Sequence, residues 1–232
     1  MPTHLYCLLP RGSSATPPAG IRVVETSPAL AWVSGTAEAK LSRDARDAVR
    51  ATVAHDRVIG SALEQGVTPM PASLADPYED DAALDVDLAA HASAIELALP
   101  AIAGMVEMTT IIAIQDVRPS AEEPARGKAY LEQLRSAPAR ADAVADRLTA
   151  ALGIHFPEAR RRGDGARIGV SHLMPRTATD FYRTLALSVA GEGYRMVIDG
   201  PRAPYSFALF SPRSGLRTEM WFGAARFWRP EP

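Results

Sequence analysis

The chain has 232 residues, of which 47% are apolar and 22% are charged, and these values are typical of a folded soluble protein. Disorder along the whole length is therefore excluded. The net charge of −2 argues against a dedicated nucleic-acid-binding protein. Cys7 is the only cysteine, which excludes an intramolecular disulfide and a thiolate cluster for zinc or iron–sulfur. This cysteine usage predicts a reducing compartment, the cytoplasm.

Export and membrane insertion are not predicted. The start of the chain lacks the basic and apolar regions of a secretory leader. The longest charge-free apolar stretch in the middle, 97–106, is well below the roughly 20 residues that cross a bilayer. Residues 1–116 carry 7 Lys and Arg against 15 Asp and Glu, whereas residues 117–232 carry 18 against 12. Because opposite charges attract, this asymmetry predicts contact between two units or self-association.

The first part of the chain is predicted to form an α+β unit. Short β-branched and aromatic runs between Pro, Gly and Ser residues predict strands. The spacing of Val49, Val53 and Ile59 predicts a helix that Ser42 caps and Gly66 ends. The predicted elements are strands 6–9, 21–25 and 30–34, a helix 42–66, an extended piece 67–71, a helix of about 81–99 after an acidic loop, and a strand 105–116 that closes this unit.

The Pro- and Glu-containing segment 117–126 is the predicted linker, so the predicted domains are 1–117 and 118–232. A helical seam at 127–153 opens the second domain, and Pro138 is expected to kink it or to divide it into a helix hairpin. The further predicted elements are a basic loop 158–167, a strand 168–174, a helix that begins with a capping box at 177–180 and ends at Gly191, a strand 194–198, a turn 200–201 and an extended segment 205–210. We therefore predict an α+β fold of two small domains, at least the C-terminal one ferredoxin-like.

Signatures of catalytic and metal chemistry are incomplete. Residues 169–173 lack the final glycine of a nucleophile elbow, and the five histidines never fall in a metal-ligand spacing. The acidic group within 76–87 lacks EF-hand spacing, and the arginines 160–162 indicate a solvated loop. We predict no catalytic, cofactor-binding or metal-binding residue. His55 is expected to have a structural or capping role rather than to transfer protons, with Asp56 or the distant Asp116 as its candidate carboxylate partner.

Four stretches in the same order resemble the gas vesicle accessory family GvpL/GvpF. Leu5-Tyr6 lies in the opening strand, and His55 lies mid-helix ahead of Val67-Thr68-Pro69. Residues 127–132 read Gly-Lys-Ala-Tyr-Leu-Glu, and residues 200–207 read Gly-Pro-Arg-Ala-Pro-Tyr-Ser-Phe after a strand. The sequence departs from the family pattern at 202–203, where Trp-Pro is usual, and at 70–72, where an Arg-Phe-Gly-like run is common. The candidate interaction residues are Gly200, Pro201, Pro204, Tyr205, Ser206, Phe207, Gly127, Tyr130, Leu131 and His55.

The resemblance implies an accessory protein of gas vesicles that is not an enzyme and needs no cofactor. Such a protein would assist assembly in the cytoplasm by binding the small, apolar shell protein and other accessory proteins. Independently of the family, Pro201 and Pro204 each lack a backbone donor, so this segment is predicted to form a turn or a sheet edge. If it is extended, Tyr205 and Phe207 share one face, either as anchors of the second domain's core or as an apolar edge for a partner.

Two alternatives remain open from the sequence. A diverged ferredoxin-like enzyme or small-ligand-binding protein would bring His55, His172 or the acidic group together in a pocket with shifted pKa values. A relative of the family recruited as an adaptor in another assembly would keep the fold with altered surface motifs.

Overall fold

The structure is a computed structural model that describes residues 1–35, 45–114, 126–163, 167–189, 194–212 and 214–216. The chain divides into two compact units: Met1–Val106 together with the residues from Arg202 onward, and Glu107–Pro201. We refer to them as unit 1 and unit 2. Both contain helices and a sheet, which confirms the α+β prediction. Among the described residues, no helix is both long and apolar enough to cross a membrane.

Unit 1 is built around a four-stranded sheet. Its strands are β1 (His4–Leu9), β2 (Arg22–Glu25), β3 (Leu30–Ser34) and β4 (Met70–Pro71), in the order β2-β3-β1-β4 with antiparallel neighbours. The first three lie where the sequence predicts them. An irregularity in the register between Leu5 and Cys7 interrupts the alternation of β1, so Tyr6 and Cys7 pack with the same group of residues.

Three helices accompany this sheet: α1 (Ala45–Glu64), α2 (Asp81–Ala90) and α3 (Ala92–Ala101). α1 agrees with the prediction, whereas its predicted cap, Ser42, lies outside the described residues. The helix predicted over 81–99 is instead two helices separated at His91. Asp80 caps the start of α2 by accepting a hydrogen bond from the backbone N–H of Ala83 at 2.9 Å. The His91 backbone N–H ends α2 by bonding to the Leu88 carbonyl.

Both faces of this sheet are buried. Cross-strand pairs sort the side chains into two sets, because Cys7 opposes Trp32 whereas Leu8 opposes Ala31. The first core, against α1, contains Cys7, Leu9, Trp32, Ile59, Ala62 and Ala203. The second core, against α2 and α3, includes Leu5, Leu8, Val33, Met70, Leu84, Leu88, Ile95, Leu99, Ala208 and Phe210. The chain that returns at 203–210 therefore contributes side chains to both cores.

Unit 2 contains the second four-stranded sheet, with the order β6-β7-β5-β8. Its elements are β5 (Met105–Ile114), α4 (Arg126–Gly153), β6 (Ala159–Arg162), β7 (Arg167–Pro175), α5 (Thr179–Ser188) and β8 (Tyr194–Arg202). β6 and β7 are antiparallel. The buried helical residues include Ala141, Val144, Ala145, Leu148 and Leu152 of α4 and Tyr182 and Ala186 of α5.

Two predictions for this unit are wrong, and for the helical seam one of the two alternatives, division at Pro138, does not occur. β5 does not close the first unit, because it lies between β7 and β8 in the second sheet. The predicted basic loop at 158–167 contains β6, an edge strand that tolerates charge because one of its edges faces solvent. α4 continues past Pro138 rather than dividing there. Residues 138–140 are exposed, and the buried residues that follow them fix the helix in unit 2.

The C-terminal part also differs from the prediction. β8 runs through the predicted turn at 200–201, and residues 205–207 form a turn rather than an extended segment. A short antiparallel pair, β9 (Phe210–Ser211) and β10 (Gly215–Leu216), follows it. α5 follows a 3-10 turn and has no side-chain cap, so the capping box is absent. The boundaries of units 1 and 2 differ from those of the predicted domains, 1–117 and 118–232. Gly191, the predicted end of the helix, lies outside the described residues, as do residues 117–125 of the predicted linker 117–126.

Gly200 is predicted to be indispensable for unit 2. Its φ is +118°, and a Cβ atom there would lie 2.7 Å from the Glu107 carbonyl oxygen and 2.8 Å from the Met108 sulfur. We expect Gly200→Ala to lower the free energy of unfolding by about 2–4 kcal/mol in urea titrations. Gly60→Ala is the matched control: no atom lies within 4 Å of that Cβ. Since Gly60 lies inside α1, this control should stabilise by about 0.5–1 kcal/mol. Equal effects of Gly200→Ala and Gly60→Ala on the free energy of unfolding would refute the close approach of Gly200 to Glu107 and Met108.

Candidate functional site

Two buried histidines connect β1, α1 and the segment after β4. His4 Nε2 lies 3.1 Å from His55 Nδ1, and His55 Nε2 lies 2.9 Å from the Ala72 carbonyl oxygen. Because a carbonyl can only accept, His55 carries its proton on Nε2 and donates to Ala72. The Nδ1 atom of a neutral His55 then accepts a hydrogen bond from His4 Nε2–H. We call His4 and His55 the histidine pair.

The burial of the histidine pair favours uncharged rings. His4 is 2% and His55 5% exposed. Burial lowers the pKa of His4 to about 4, and the proximity of His55 acts in the same direction. Burial also lowers the pKa of His55, against the opposing effects of its bond to Ala72 and of the nearby Asp56 carboxylate. Near neutral pH the pair is therefore uncharged and joins secondary-structure elements without contributing a charge.

The ring of Tyr6 completes this cluster. It stacks on His55 with ring centroids 5.0 Å apart and meets the edge of His4 at 4.7 Å. The Tyr6 hydroxyl lies 3.3 Å from Ser34 Oγ on the neighbouring strand. The opening strand and the first helix thus bring two of the sequence-predicted motifs into direct contact.

The fourth of these stretches, residues 200–207, reaches α1 through Tyr205. Its hydroxyl donates to Asp56 Oδ1 at 2.7 Å, across 149 residues of sequence. Burial raises the pKa of Tyr205, and the hydrogen bond to Asp56 raises it further, so the hydroxyl remains a donor. Backbone bonds shape the turn: the N–H groups of Phe207 and Ala208 donate to the Pro204 carbonyl at 3.0 and 2.9 Å. Tyr205 packs against the first core of unit 1, and not in the core of the predicted second domain, which is one of the two roles that the sequence leaves open.

The other sequence-predicted site residues are scattered. Pro204 and Phe207 are buried, Ser206 is half-buried, and Pro201 is exposed at the end of β8. Gly127, Tyr130 and Leu131 lie in α4, in a stretch whose side chains are outside the described part of the chain. The structure therefore brings His55 together with Tyr6, and connects Tyr205 to the residue next to His55.

Sequence reasoning missed one member of the cluster and misassigned another. His4 is not in any of the motifs, although its position two residues before Tyr6 places both on one face of β1 and could have indicated it. Asp56 was expected to serve His55, but its carboxylate accepts the hydrogen bond of Tyr205. Asp116 lies outside the described residues.

Unit 2 holds a separate buried polar network. His172 Nδ1 lies 3.2 Å from the Tyr182 hydroxyl, which lies 3.0 Å from Thr110 Oγ1. Burial lowers the pKa of His172 to about 4. An open depression of about 410 Å³ is lined by Asp146, Thr149, Ala150, Ala159, Arg161 and Val170. These lining residues include neither of the histidines His55 and His172 and none of the acidic residues of 76–87. Among the described residues no group of three His, Cys, Asp or Glu could hold a metal ion.

Comparison with known proteins identifies relatives over nearly the whole chain. The family model "Gas vesicle synthesis protein GvpL/GvpF" matches residues 2–209. The crystal structure of gas vesicle protein GvpF from Anabaena sp. PCC7120 is similar with a TM-score of 0.70 at 15% identity, covering 89% of this chain and 95% of that one. GvpF from Microcystis aeruginosa gives 0.69 at 13% identity, covering 89% and 98%. These likenesses show the shared fold. No curated protein sequence matches this chain significantly.

The bond between Tyr205 and Asp56 should be energetically coupled. We expect Tyr205→Phe to lower the free energy of unfolding by about 1–2 kcal/mol, because it leaves a half-buried carboxylate without its donor. Asp56→Ala should cost a similar amount, and the double variant should cost about 1 kcal/mol less than the sum of the two. Tyr182→Phe removes a buried hydroxyl that bonds to Thr110 and His172 and not to Asp56, so its effect should add to that of Asp56→Ala in the same urea titrations. Strict additivity of Tyr205→Phe and Asp56→Ala would contradict the bond.

The buried histidines should make the fold sensitive to acid. His4 has an ordinary pKa of 6.5 when unfolded and about 4 when folded, so the unfolded state binds a proton first. Stability from this group is complete above pH 6.5 and falls as the pH drops towards 4, by up to about 3 kcal/mol. We expect His4→Gln to flatten this part of the pH profile of urea unfolding. His155→Gln, at an exposed histidine, controls for loss of an imidazole. An unchanged slope in His4→Gln would contradict burial of a neutral His4.

Proposed function

The chain belongs to the gas vesicle synthesis family GvpL/GvpF, and from this premise we propose that it is an accessory protein of gas vesicle assembly. In this role it binds the small, apolar shell protein and other accessory proteins, in the cytoplasm and in association with the vesicle. It acts by binding, without catalysis and without a cofactor. The observation that carries the proposal is the family match over residues 2–209.

The arrangement of the motif residues favours a partner surface elsewhere on the chain. His55, Pro204 and Phe207 are buried, and Tyr205 is held by Asp56, so these residues are occupied within unit 1. A protein that holds an aggregation-prone apolar subunit needs exposed apolar side chains of its own. The first half of α1 offers such a surface. Its described side chains from residue 46 to 54 are exposed or half-exposed, and Val49 and Val53 lie one turn apart with 62% and 53% exposure.

The proposal includes a two-domain organisation with a ferredoxin-like second domain. Unit 2 runs in the order β5, α4, β6, β7, α5, β8, which is the β-α-β-β-α-β sequence of that fold. Its sheet order, β6-β7-β5-β8, places the first and third strands of the unit side by side in the middle. Unit 1 is discontinuous in sequence, because residues from Arg202 onward return to it.

The proposal predicts recovery of vesicle components with the protein. A tagged copy expressed in its host, grown under conditions that favour buoyancy, should recover the shell protein or other vesicle accessory proteins, identified by mass spectrometry. Val49→Ser with Val53→Ser should reduce this recovery several-fold, since it removes two exposed apolar side chains at little cost to folding. Leu187→Ser, at a 58% exposed position of α5, is the matched control. Recovery of no vesicle component from cells that visibly contain vesicles would overturn the proposed function.

A further inference from the structure

The strand β6 forms one edge of the second sheet. In the order β6-β7-β5-β8, its only strand neighbour among the described residues is β7. The Leu173 N–H donates to the Glu158 carbonyl at 3.0 Å, so these two residues form a hydrogen-bonded pair that continues the β6–β7 register. Such pairs alternate along an antiparallel ladder. The backbone N–H and C=O groups of Ala159 and Arg161 therefore point away from β7, towards the open edge.

The backbone at this edge is able to accept another strand. The Ala159 carbonyl accepts a hydrogen bond from the Arg160 guanidinium at 2.9 Å, so a side chain rather than a strand bonds to it. A carbonyl oxygen has two lone pairs and can accept a second hydrogen bond. An extended segment beside β6 would bond to the backbone of Ala159 and Arg161, which is how peptides add to exposed sheet edges.

The open depression of unit 2 lies beside this edge, between α4 and the sheet. Its volume is about 410 Å³, and it is lined by three residues of α4 together with residues of β6 and β7. Ala159 and Arg161 belong to this lining, so their side of β6 faces α4. Arg161 pairs there with two aspartates of α4, among them Asp146 at 2.9 Å. An added strand directs every second side chain to this face, where Ala150 and Val170 provide apolar contact.

The opposite face of β6 carries positive charge. Arg160 and Arg162 alternate with the residues that line the depression, so their side chains start from the other face of the sheet. Arg162 is exposed and Arg160 is half-buried. Glu158 precedes β6 on this same face, and the two arginines outweigh its charge. Because directly opposed side chains on neighbouring strands have Cβ atoms about 4.5–5.5 Å apart, acidic side chains of an added strand would lie beside both arginines.

The charge of β6 also decides which partner fits its edge. Two copies of β6 placed side by side would bring arginines opposite arginines, and directly opposed like charges are destabilising. A second copy of this strand is therefore a poor occupant. The segment that fits is extended and alternates acidic with small apolar residues. Its apolar side chains enter the depression, and its acidic side chains pair with Arg160 and Arg162.

We propose that β6 is the docking edge for an acidic, extended segment of a partner protein, which adds to the second sheet as a further strand. This surface belongs to unit 2, whereas the exposed valines Val49 and Val53 belong to α1 of unit 1. The inference goes beyond the proposed function, because neither the family match nor the α1 surface assigns a role to this edge.

Peptide binding tests the charge of the partner. The probe is a fluorescein-labelled peptide of alternating residues, Glu-Val-Glu-Val-Glu-Val-Glu, titrated with the full chain and followed by fluorescence anisotropy. In about 0.15 M salt, which screens distant charges, we expect saturable binding that Arg160→Glu with Arg162→Glu weakens about tenfold. Arg57→Glu with Arg195→Glu makes the same charge change at exposed positions of α1 and β8 and should leave the affinity unchanged. Absence of saturable binding, or an equal loss in both double variants, would overturn the proposal.

A reversed charge pair separates lost contacts from lost folding. The peptide with Lys in place of Glu should bind the Arg160→Glu, Arg162→Glu variant and should not bind the unchanged chain. Failure of this rescue would overturn the charge pairing on which the proposal rests. Ala150→Trp, which fills the depression from α4, should weaken binding of the acidic peptide several-fold. Ala139→Trp, about three turns earlier on the exposed side of α4, is the matched control and should not weaken it.

Amide hydrogen exchange tests whether the peptide adds as a strand. At saturating acidic peptide, the backbone N–H groups of Ala159 and Arg161 should exchange about tenfold more slowly, because they then donate to carbonyls of the peptide. The N–H groups of Arg160 and Arg162 point towards β7 and should change much less. Binding with unchanged exchange at Ala159 and Arg161 would show charge attraction without strand addition and would overturn the proposal.

Discussion

The hydrogen bond between Tyr205 and Asp56 determines where the chain re-enters unit 1 after its second sheet. It joins a turn near the C-terminal end of the fold to a helix 149 residues earlier. From this turn Ala203 packs with the first core, and Phe210 packs with the second core on the other face of the sheet. Both cores of unit 1 therefore include side chains of a segment that this hydroxyl and carboxylate tie to α1. Since the burial of Tyr205 raises its pKa, the hydroxyl keeps its proton and the bond persists through the neutral range.

The backbone of Ala72 connects this returning segment to the histidine pair. Its N–H donates to the Tyr6 carbonyl of β1, and its carbonyl accepts from His55 of α1. Ala72 also pairs with Phe210, and the N–H of Ser73 donates to the Phe210 carbonyl at 2.8 Å. A strand, a helix and the returning segment thus meet at two consecutive residues. Protonation of the pair would place a charge at this junction, where burial excludes the water that would solvate it.

Local patterns in the sequence are sufficient to locate most strands and helices, but they do not predict which strands pair with each other. β-branched runs between turn residues located β1, β2 and β3. The helical spacing of Val49, Val53 and Ile59 located α1, although only Ile59 of the three is buried. The partner of β5 could not be predicted, because alternation in one strand does not specify which strands neighbour it. The sequence does not predict β6, because three consecutive arginines are compatible with a solvated loop as well as with an edge strand. In the site, His55 and Tyr205 were found from motifs, whereas His4 and the role of Asp56 depend on contacts across 51 and 149 residues.

The positions that carry the family resemblance are mainly the ones that hold unit 1 together. His55 and Tyr205 make contacts inside the unit, and Ala203 is buried where the family pattern has Pro. Arg202, in contrast, is exposed where the pattern has Trp, so this departure changes the surface and leaves the turn intact. Residues with internal partners specify the fold, and surface residues are available to specify what it binds. This chain has the fold of GvpF at 15% identity, so the fold leaves most positions free to vary. The partners of this protein must accordingly be sought from its own surface, beginning with the exposed valines of α1, Val49 and Val53.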